Sequence, residues 1–238
     1  MTSGPPPNVT DASRVEERPE YARLAAALAD ALLAGRGVGR PGGARAVVGV
    51  AGESGSGKSV TAASLAREYA RRGLAAAVLH QDDYFLRPPR VNHAHRLRDL
   101  AHVGPHEVDL ARLAEHVAAF RAAAAGVEAP LVDYPNDRFL TRRLDFSGAA
   151  VLVVEGTYVL RLPDLDARVF LEATHEDTYA RRRARARDPE TPIERDVLAI
   201  EHRVIAEQAA GADVVIGVDF ALRPGGSGGD PAAPRFEP

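Results

Sequence analysis

Gly52-Glu53-Ser54-Gly55-Ser56-Gly57-Lys58-Ser59 is the stretch that decides how the rest of the chain is read. It fits the phosphate-loop pattern G-x-x-x-x-G-K-[ST] at every fixed position. The residues before it, Ala44 to Val50, are apolar and β-branched, as in a short strand buried on both faces. Those after it, Val60 to Arg72, carry Ala, Leu and Arg at helical spacing, with Gly73 as a stop. In a strand, glycine loop and helix of this order, successive backbone N–H groups curl inward over the positive end of the helix. Anionic phosphate is then held without side-chain bulk. Lys58 is expected to reach the β- and γ-phosphates of ATP, and the Ser59 hydroxyl is placed to ligate Mg²⁺. Gly52, Ser54, Gly55, Ser56, Gly57 and Val60 complete the expected ATP-binding set. Among 30 Lys plus Arg, Lys58 is the only lysine, so a compact ammonium stands here where guanidinium serves everywhere else.

Working outward, Met1 to Pro19 is rich in Pro, Ser, Thr and charge and is expected to be disordered. Leu and Ala recur at helical spacing from Tyr21 to Leu33, giving an amphipathic helix that Gly35 and Gly37 end and that is expected to pad the core, with contact to a partner as the alternative. A Gly/Pro/Arg linker completes residues 20–44; the main domain is expected over 45–222, and a loose tail over 223–238. With 238 residues, 45% of them hydrophobic, the chain can bury one good core. A net charge of −3 and a pI near 6.3 argue against a nucleic-acid partner. The absence of cysteine excludes disulfides and thiolate metal sites and suits a reducing compartment. No apolar run approaches the roughly 20 residues of a membrane span, and Met1 opens no hydrophobic signal core. The expectation is a cytoplasmic protein without a membrane partner; a homo-oligomer is left open.

A second strand, Ala75 to Gln81, ends at Asp82-Asp83-Tyr84-Phe85. In parallel α/β sheets chemistry collects at the carboxyl ends of strands, so this acidic pair is expected beside the phosphate loop. Side chains alternate along an extended strand end, which lets only one of the two face the phosphates. One of the two would then be the base that accepts a hydroxyl proton, and the other a second metal or substrate ligand. Val91 to Pro105 is polar and reads as a long loop. Its histidines, His93, His95 and His102 with His106 beside it, allow a transition-metal reading that phosphoryl transfer does not need. Then follow a helix over Glu107 to Ala124, a short strand or extended arm over Pro130 to Tyr134, and a buried strand over Ala149 to Val154 with Glu155 at its end. A strand over Val169 to Glu172, helices over His175 to Asp188 and Pro192 to Ala209, and a last strand over Ala212 to Val218 complete the reading. The fold class is α/β: three layers, α/β/α, around a mostly parallel central sheet with a helical lid.

A guanine-reading NKxD element is impossible because the one lysine is already used, no LSGGQ signature is present, and the chain is too short for a helicase core. The loop, Gln81-Asp82-Asp83-Tyr84-Phe85, Val151-Leu152-Val153-Val154-Glu155-Gly156 and Ala212-Asp213-Val214-Val215-Ile216 together resemble, in order, the uridine kinase and phosphoribulokinase family of P-loop small-molecule kinases. The similarity spans about Arg45 to Val218. It implies the P-loop NTPase fold, ATP and Mg²⁺, and transfer of a γ-phosphoryl group to a hydroxyl of a small acceptor, first of all a nucleoside. It further implies Asp82 as catalytic base, a metal set of Ser59, Asp82 and Glu155, and acceptor contacts from Tyr134 and the Asp83-Tyr84 turn. The run Arg181, Arg182, Arg183, Arg185, Arg187 resembles the family's lid, in which Arg183 and Arg187, one helical turn apart, would reach phosphate.

The resemblance breaks at Ala101-His102-Val103-Gly104-Pro105-His106-Glu107-Val108-Asp109. Uridine kinases carry Asn-Phe-Asp-x-Pro-x-x-x-Asp there; Pro105 and Asp109 match, but Val103 stands where the ribose-gripping acid belongs. Asp99 is the substitute the sequence offers. A site that hydrogen-bonds a hydroxyl loses discrimination when its partner goes, so the departure bears on uridine as the acceptor and not on kinase chemistry. Nicotinamide riboside kinases, which share the Gln-Asp-Asp-aromatic start, or kinases of another hydroxyl compound are alternatives. A reading of another class is a nucleotide-binding regulator without an acceptor.

Overall fold

The apolar alternation of Val47-Val48-Gly49-Val50-Ala51 is that of a strand covered on both sides, and it becomes the centre of the sheet. The computed structural model describes residues 18–179 and 193–226. Within them, β1 (Ala46–Gly52) pairs in parallel with β5 (Val151–Glu155) on one side and β6 (Ala167–Leu171) on the other. The full order is β2 (Ala76–His80), β5, β1, β6, β7 (Val214–Ile216) and β8 (Leu222–Pro224), with only β8 antiparallel. Strand alternation divides the core in two. Val48, Val50, Val78, Val153 and Val169 face a cluster with α1 (Pro19–Arg36) and α2 (Lys58–Arg71). Val47, Ala51, Leu79, Leu152, Val154 and Phe170 face the other, with α4 (Leu110–Arg121) and α5 (Glu194–Ala206). This is the expected three-layer α/β/α arrangement, and each such buried apolar side chain contributes on the order of 1.5–3 kcal/mol.

The N-terminal helix pads the core as expected. Tyr21, Leu24, Leu28 and Leu32 bury its inner face on α2, Gly37 ends it at φ 67°, and the Tyr21 ring meets Phe220 edge to face at 5.1 Å. It begins at Pro19, inside the stretch expected to be disordered. At the other end Arg223 and Pro224 lie in β8, so the ordered sheet runs past the expected boundary at residue 222. Residues 1–17, 180–192 and 227–238 lie outside the described residues, and with them most of the expected disorder and all five lid arginines, Arg183 and Arg187 included.

Three expectations are corrected. Residues 91–105 are not one long loop: α3 (Pro89–Arg98) fills much of it, followed by short 3₁₀ turns at Leu100–His102 and Pro105–Glu107. Only Asn92 of α3 is buried, so the helix has no apolar stripe to betray it. Polar anchors hold it instead: Asn92 Nδ2 donates to Glu107 at 2.8 Å, and Arg96 donates to both oxygens of buried Glu107 while its Nη2 lies 3.0 Å from Glu201. The arm at residue 130 is a hairpin, β3 (Ala125–Asp133) against β4 (Arg138–Asp145), in a two-stranded sheet of its own. Most of β4 is exposed, so it lacks the period-2 apolar signal. Finally, β2 ends at His80, and Gln81–Tyr84 is a 3₁₀ turn rather than a strand end.

Candidate active site

The topology brings three strand ends side by side: β1 runs into the phosphate loop, β5 ends at Glu155 beside it, and β2 ends at His80 on the other flank of β5. Glycine is required where the loop leaves β1. Gly52 takes φ 152°, and a Cβ there would come within 2.8 Å of the Leu171 carbonyl and 2.9 Å of Ser56 Oγ. Gly57, at φ 106°, caps α2, and its missing Cβ leaves room for the Tyr21 hydroxyl. Gly55 also has positive φ, Ser56 is buried, Ser54 is exposed, and Val60 lies in the first turn of α2. Lys58, buried at the start of α2, donates from Nζ to the Glu53 carbonyl at 2.9 Å.

Glu155 is the hub between loop and flank. Its Oε1 accepts from Ser59 Oγ at 3.0 Å and from His80 Nδ1 at 2.7 Å. Burial by itself pushes the Glu155 carboxyl up, but the hydrogen bond and charge of His80, the Lys58 ammonium and the Ser59 hydroxyl together hold it below the ordinary value. Burial pulls the other way on His80, whose pKa its Glu155 partner nevertheless raises. An ionised carboxylate and a hydroxyl 3.0 Å apart are hard oxygen donors of the kind Mg²⁺ takes, so the residues present fit that ion. The sequence reading did not single out His80. Its pairing with Glu155 appears only once β2 is set in parallel register against β5, His80 opposite Glu155.

One residue further along, Gln81 is fully buried and ties the two strand ends together. Its Nε2 donates to Thr157 Oγ1 at 2.9 Å and its Oε1 accepts from the Tyr158 N–H at 2.7 Å. Gly156 must be glycine for this, since a Cβ there would sit 2.3 Å from Gln81 Cβ. Asp82 then emerges half-buried, and Tyr134, at the tip of the hairpin, donates from its hydroxyl to Asp82 Oδ2 at 3.4 Å. The sequence-predicted Asp82, Tyr134, Ser59, Lys58 and Glu155 are thus linked by the turn after β2, the hairpin and the ends of β1 and β5.

Other expected acceptor ligands are employed differently. Asp83 is buried, accepts from the Val132 N–H at 3.0 Å and lies 3.2 Å from Arg142, so it anchors the hairpin rather than offering a free carboxylate. Tyr84 is a core residue whose hydroxyl donates to His116 Nδ1 on α4 at 2.6 Å. Both face a cavity of about 310 Å³ that shares no lining residue with the phosphate loop, Asp82, Tyr134 or Glu155. Asp99 is exposed and accepts from the Ala101 N–H, capping its own 3₁₀ turn instead of replacing the acid missing at Val103, which is buried. The buried acid of that segment is Glu107, already saturated by Asn92, Arg96 and the Gly104 N–H.

Fold and site together define a P-loop phosphotransferase-type α/β protein, its phosphate loop, buried carboxylate and acid-bearing turn set on neighbouring strand ends. The chain belongs to the phosphoribulokinase/uridine kinase family, whose model matches residues 47–201. This is a family of kinases for small hydroxyl-bearing substrates. The chain is 29% identical over 192 residues to the bifunctional α-galactosidase/sucrose kinase AgaSK of Mediterraneibacter gnavus, covering 75% of itself and 20% of that protein. It is 28% identical over 146 residues to a uridine kinase of Leuconostoc citreum, covering 57% of itself and 66% of that protein. It thus spans one fifth and just under two thirds of the lengths of these two relatives. In fold it is similar to phosphoribulokinase from Rhodobacter spheroides, with a TM-score of 0.55 and 17% identity, over 73% of this chain and 70% of that one. Among the described residues no helix is long and apolar enough to cross a membrane.

Proposed function

We propose that this protein transfers the γ-phosphoryl group of ATP to a hydroxyl of a small molecule, with a nucleoside as the first acceptor to test. The observation that carries the reading is the chain Ser59–Glu155–His80, at 3.0 and 2.7 Å, which fastens the phosphate loop to the strand whose next turn presents Asp82. Inward N–H groups of the loop and the Lys58 ammonium would bind the β- and γ-phosphates, Lys58 giving up its present bond to the Glu53 carbonyl. Asp82 would take the proton of the acceptor hydroxyl as its oxygen attacks the γ-phosphorus, and the P–O electron pair leaves with ADP. Tyr134 holds Asp82 Oδ2 and aligns it. Ser59 and Glu155 would hold Mg²⁺, which when bound neutralises charge on the phosphate oxygens.

A free sugar is the second reading. Val103 offers no carboxylate to a ribose, Asp99 serves its own turn, and the relative from Mediterraneibacter gnavus is named for sucrose. The test is ADP release from Mg·ATP with a panel of nucleosides, nicotinamide riboside and sugars. Release that depends on a nucleoside supports the first reading and release that depends on a sugar the second. Slow hydrolysis that no acceptor accelerates would mean a nucleotide-binding regulator.

A further inference from the structure

Glu53 occupies the second position of a loop suited to holding anions, yet it is itself a carboxylate with only 6% of its surface exposed. Buried charge is costly unless answered. Its two oxygens turn to histidines from two other parts of the fold. His175, four residues after β6, donates to Oε2 from its backbone N–H at 2.6 Å and from Nδ1 at 3.0 Å; His202 on α5 donates to Oε1 from Nδ1 at 2.5 Å. Nearby, Thr178 Oγ1 donates to the Ser54 carbonyl at 3.0 Å, so the segment after β6 rests directly on the loop. The three ligand atoms lie within 4.8 Å of one another, the one such His and carboxylate group among the described residues. The histidines first considered for a metal form no such group: His95 and His102 only stack edge to face, ring centroids 5.4 Å apart.

We infer that Glu53, His175 and His202 form a binding site for a divalent transition-metal ion of the zinc class, separate from the Ser59–Glu155 position. Two imidazole nitrogens and one carboxylate oxygen are the donor set of a three-ligand zinc centre with its fourth position open to water, whereas Mg²⁺ takes oxygen donors. Bonds of about 2.0–2.2 Å to a shared ion set tetrahedral ligand atoms about 3.3 Å apart. His175 Nδ1 now meets Glu53 Oε2 at 3.0 Å and His202 Nδ1 meets Oε1 at 2.5 Å, and with the donor atoms within 4.8 Å of one another, gathering them about one ion needs changes in their separations of no more than about 1.5 Å, with each ring proton carried at Nε2. The ion would answer the charge that Glu53 brings into the anion cradle. It would also fasten to that cradle the two stretches that flank residues 180–192, one bearing His175 and the other His202.

The test uses the full chain, stripped of metal and free of nucleotide, titrated with Co²⁺ and then Zn²⁺. One equivalent of cobalt should give the intense visible bands of a tetrahedral ion, and zinc should abolish them while excess Mg²⁺ does not. Zinc at about a hundred times its Kd should raise the melting temperature by roughly 5–10 °C. His202→Ala and Glu53→Gln should each weaken cobalt binding about 100-fold or more, while His95→Ala leaves it unchanged. His202 is 41% exposed in its side chain, so its replacement should fold; His202→Gln, which keeps a hydrogen-bonding group, serves as the second variant. Absence of the tetrahedral bands in the wild type, or bands that survive His202→Ala and His202→Gln, or bands lost on His95→Ala, would each overturn the assignment.

Discussion

The proposed donor and acceptor sides of the site are built on different principles. The phosphate loop is eight consecutive residues whose glycines set the backbone, as the positive φ of Gly52, Gly55 and Gly57 shows. Its function is a property of local main chain. The acceptor side is assembled from the 3₁₀ turn after β2, the tip of the β3–β4 hairpin and the segment around Glu107, held by side chains far apart in sequence: Tyr134 to Asp82, Asp83 to Val132 and Arg142, Arg96 to Glu107 and Glu201. A local cradle can stay the same while a distributed one changes its partner. Val103, where uridine kinases carry an acid, fits a chain that keeps the donor half and alters the acceptor half.

The largest expected effect comes from removing the chemistry where the two sides meet. Asp82→Asn keeps shape and the Tyr134 contact but cannot take a proton, so kcat should fall about 10²–10⁴-fold with KM for ATP little changed. Lys58→Ala should abolish transfer through the donor side instead, with ATP binding lost as well. ADP release and nucleotide titration on folded protein check both. An Asp82→Asn enzyme with wild-type turnover on its true acceptor would remove Asp82 as the base.

Next is the anchor of the hairpin. Asp83→Ala strips the acceptor from the Val132 N–H and removes the carboxylate 3.2 Å from Arg142, which should cost about 3 kcal/mol in urea unfolding. Because the hairpin carries Tyr134 and not the phosphate loop, KM for the acceptor should rise several-fold more than KM for ATP. Equal changes in both would mean that the two sides are one unit.

The same division explains what the sequence made legible. The loop, the buried parallel strands and Glu155 are read from contiguous motifs and apolar runs, and all stand where expected. Asp82 and Tyr134 are found through a resemblance, and the structure joins them. What escaped depends on pairing or on polar anchors. Helix α3 buries one asparagine, β4 is exposed over its first four residues, and His80 matters only through Glu155 across the sheet. Tyr84 carries a motif position yet sits in the core against His116, since a residue's type in a motif does not say which way a 3₁₀ turn will point it.

A smaller effect is expected at the Tyr134 contact between hairpin and base. Tyr134→Phe removes a 3.4 Å hydrogen bond from a 38% exposed residue, worth about 0.5–1.5 kcal/mol, so kcat should drop roughly 2–10-fold. A drop as large as that of Asp82→Asn would make Tyr134 a participant in the chemistry instead of a support for Asp82.

The mildest test is acid. His116 holds the turn from beneath by accepting a hydrogen bond from the Tyr84 hydroxyl at Nδ1, and burial, then the positive charge of Arg112, lowers its pKa. The folded protein therefore refuses a proton that the unfolded chain takes near pH 6.5. Stability from this group is intact above that pH and is lost as pH falls from about 6.5 toward the lowered folded value. Urea midpoints should show a shallow decline over that window, and His116→Phe should remove the decline while lowering the midpoint at every pH. Tyr84 lies two residues after Asp82, so the wild type should lose acceptor affinity on acidification before it loses affinity for ATP. An unchanged acid slope in His116→Phe, or simultaneous loss of both affinities, would show that this buried pair does not set the acceptor side apart.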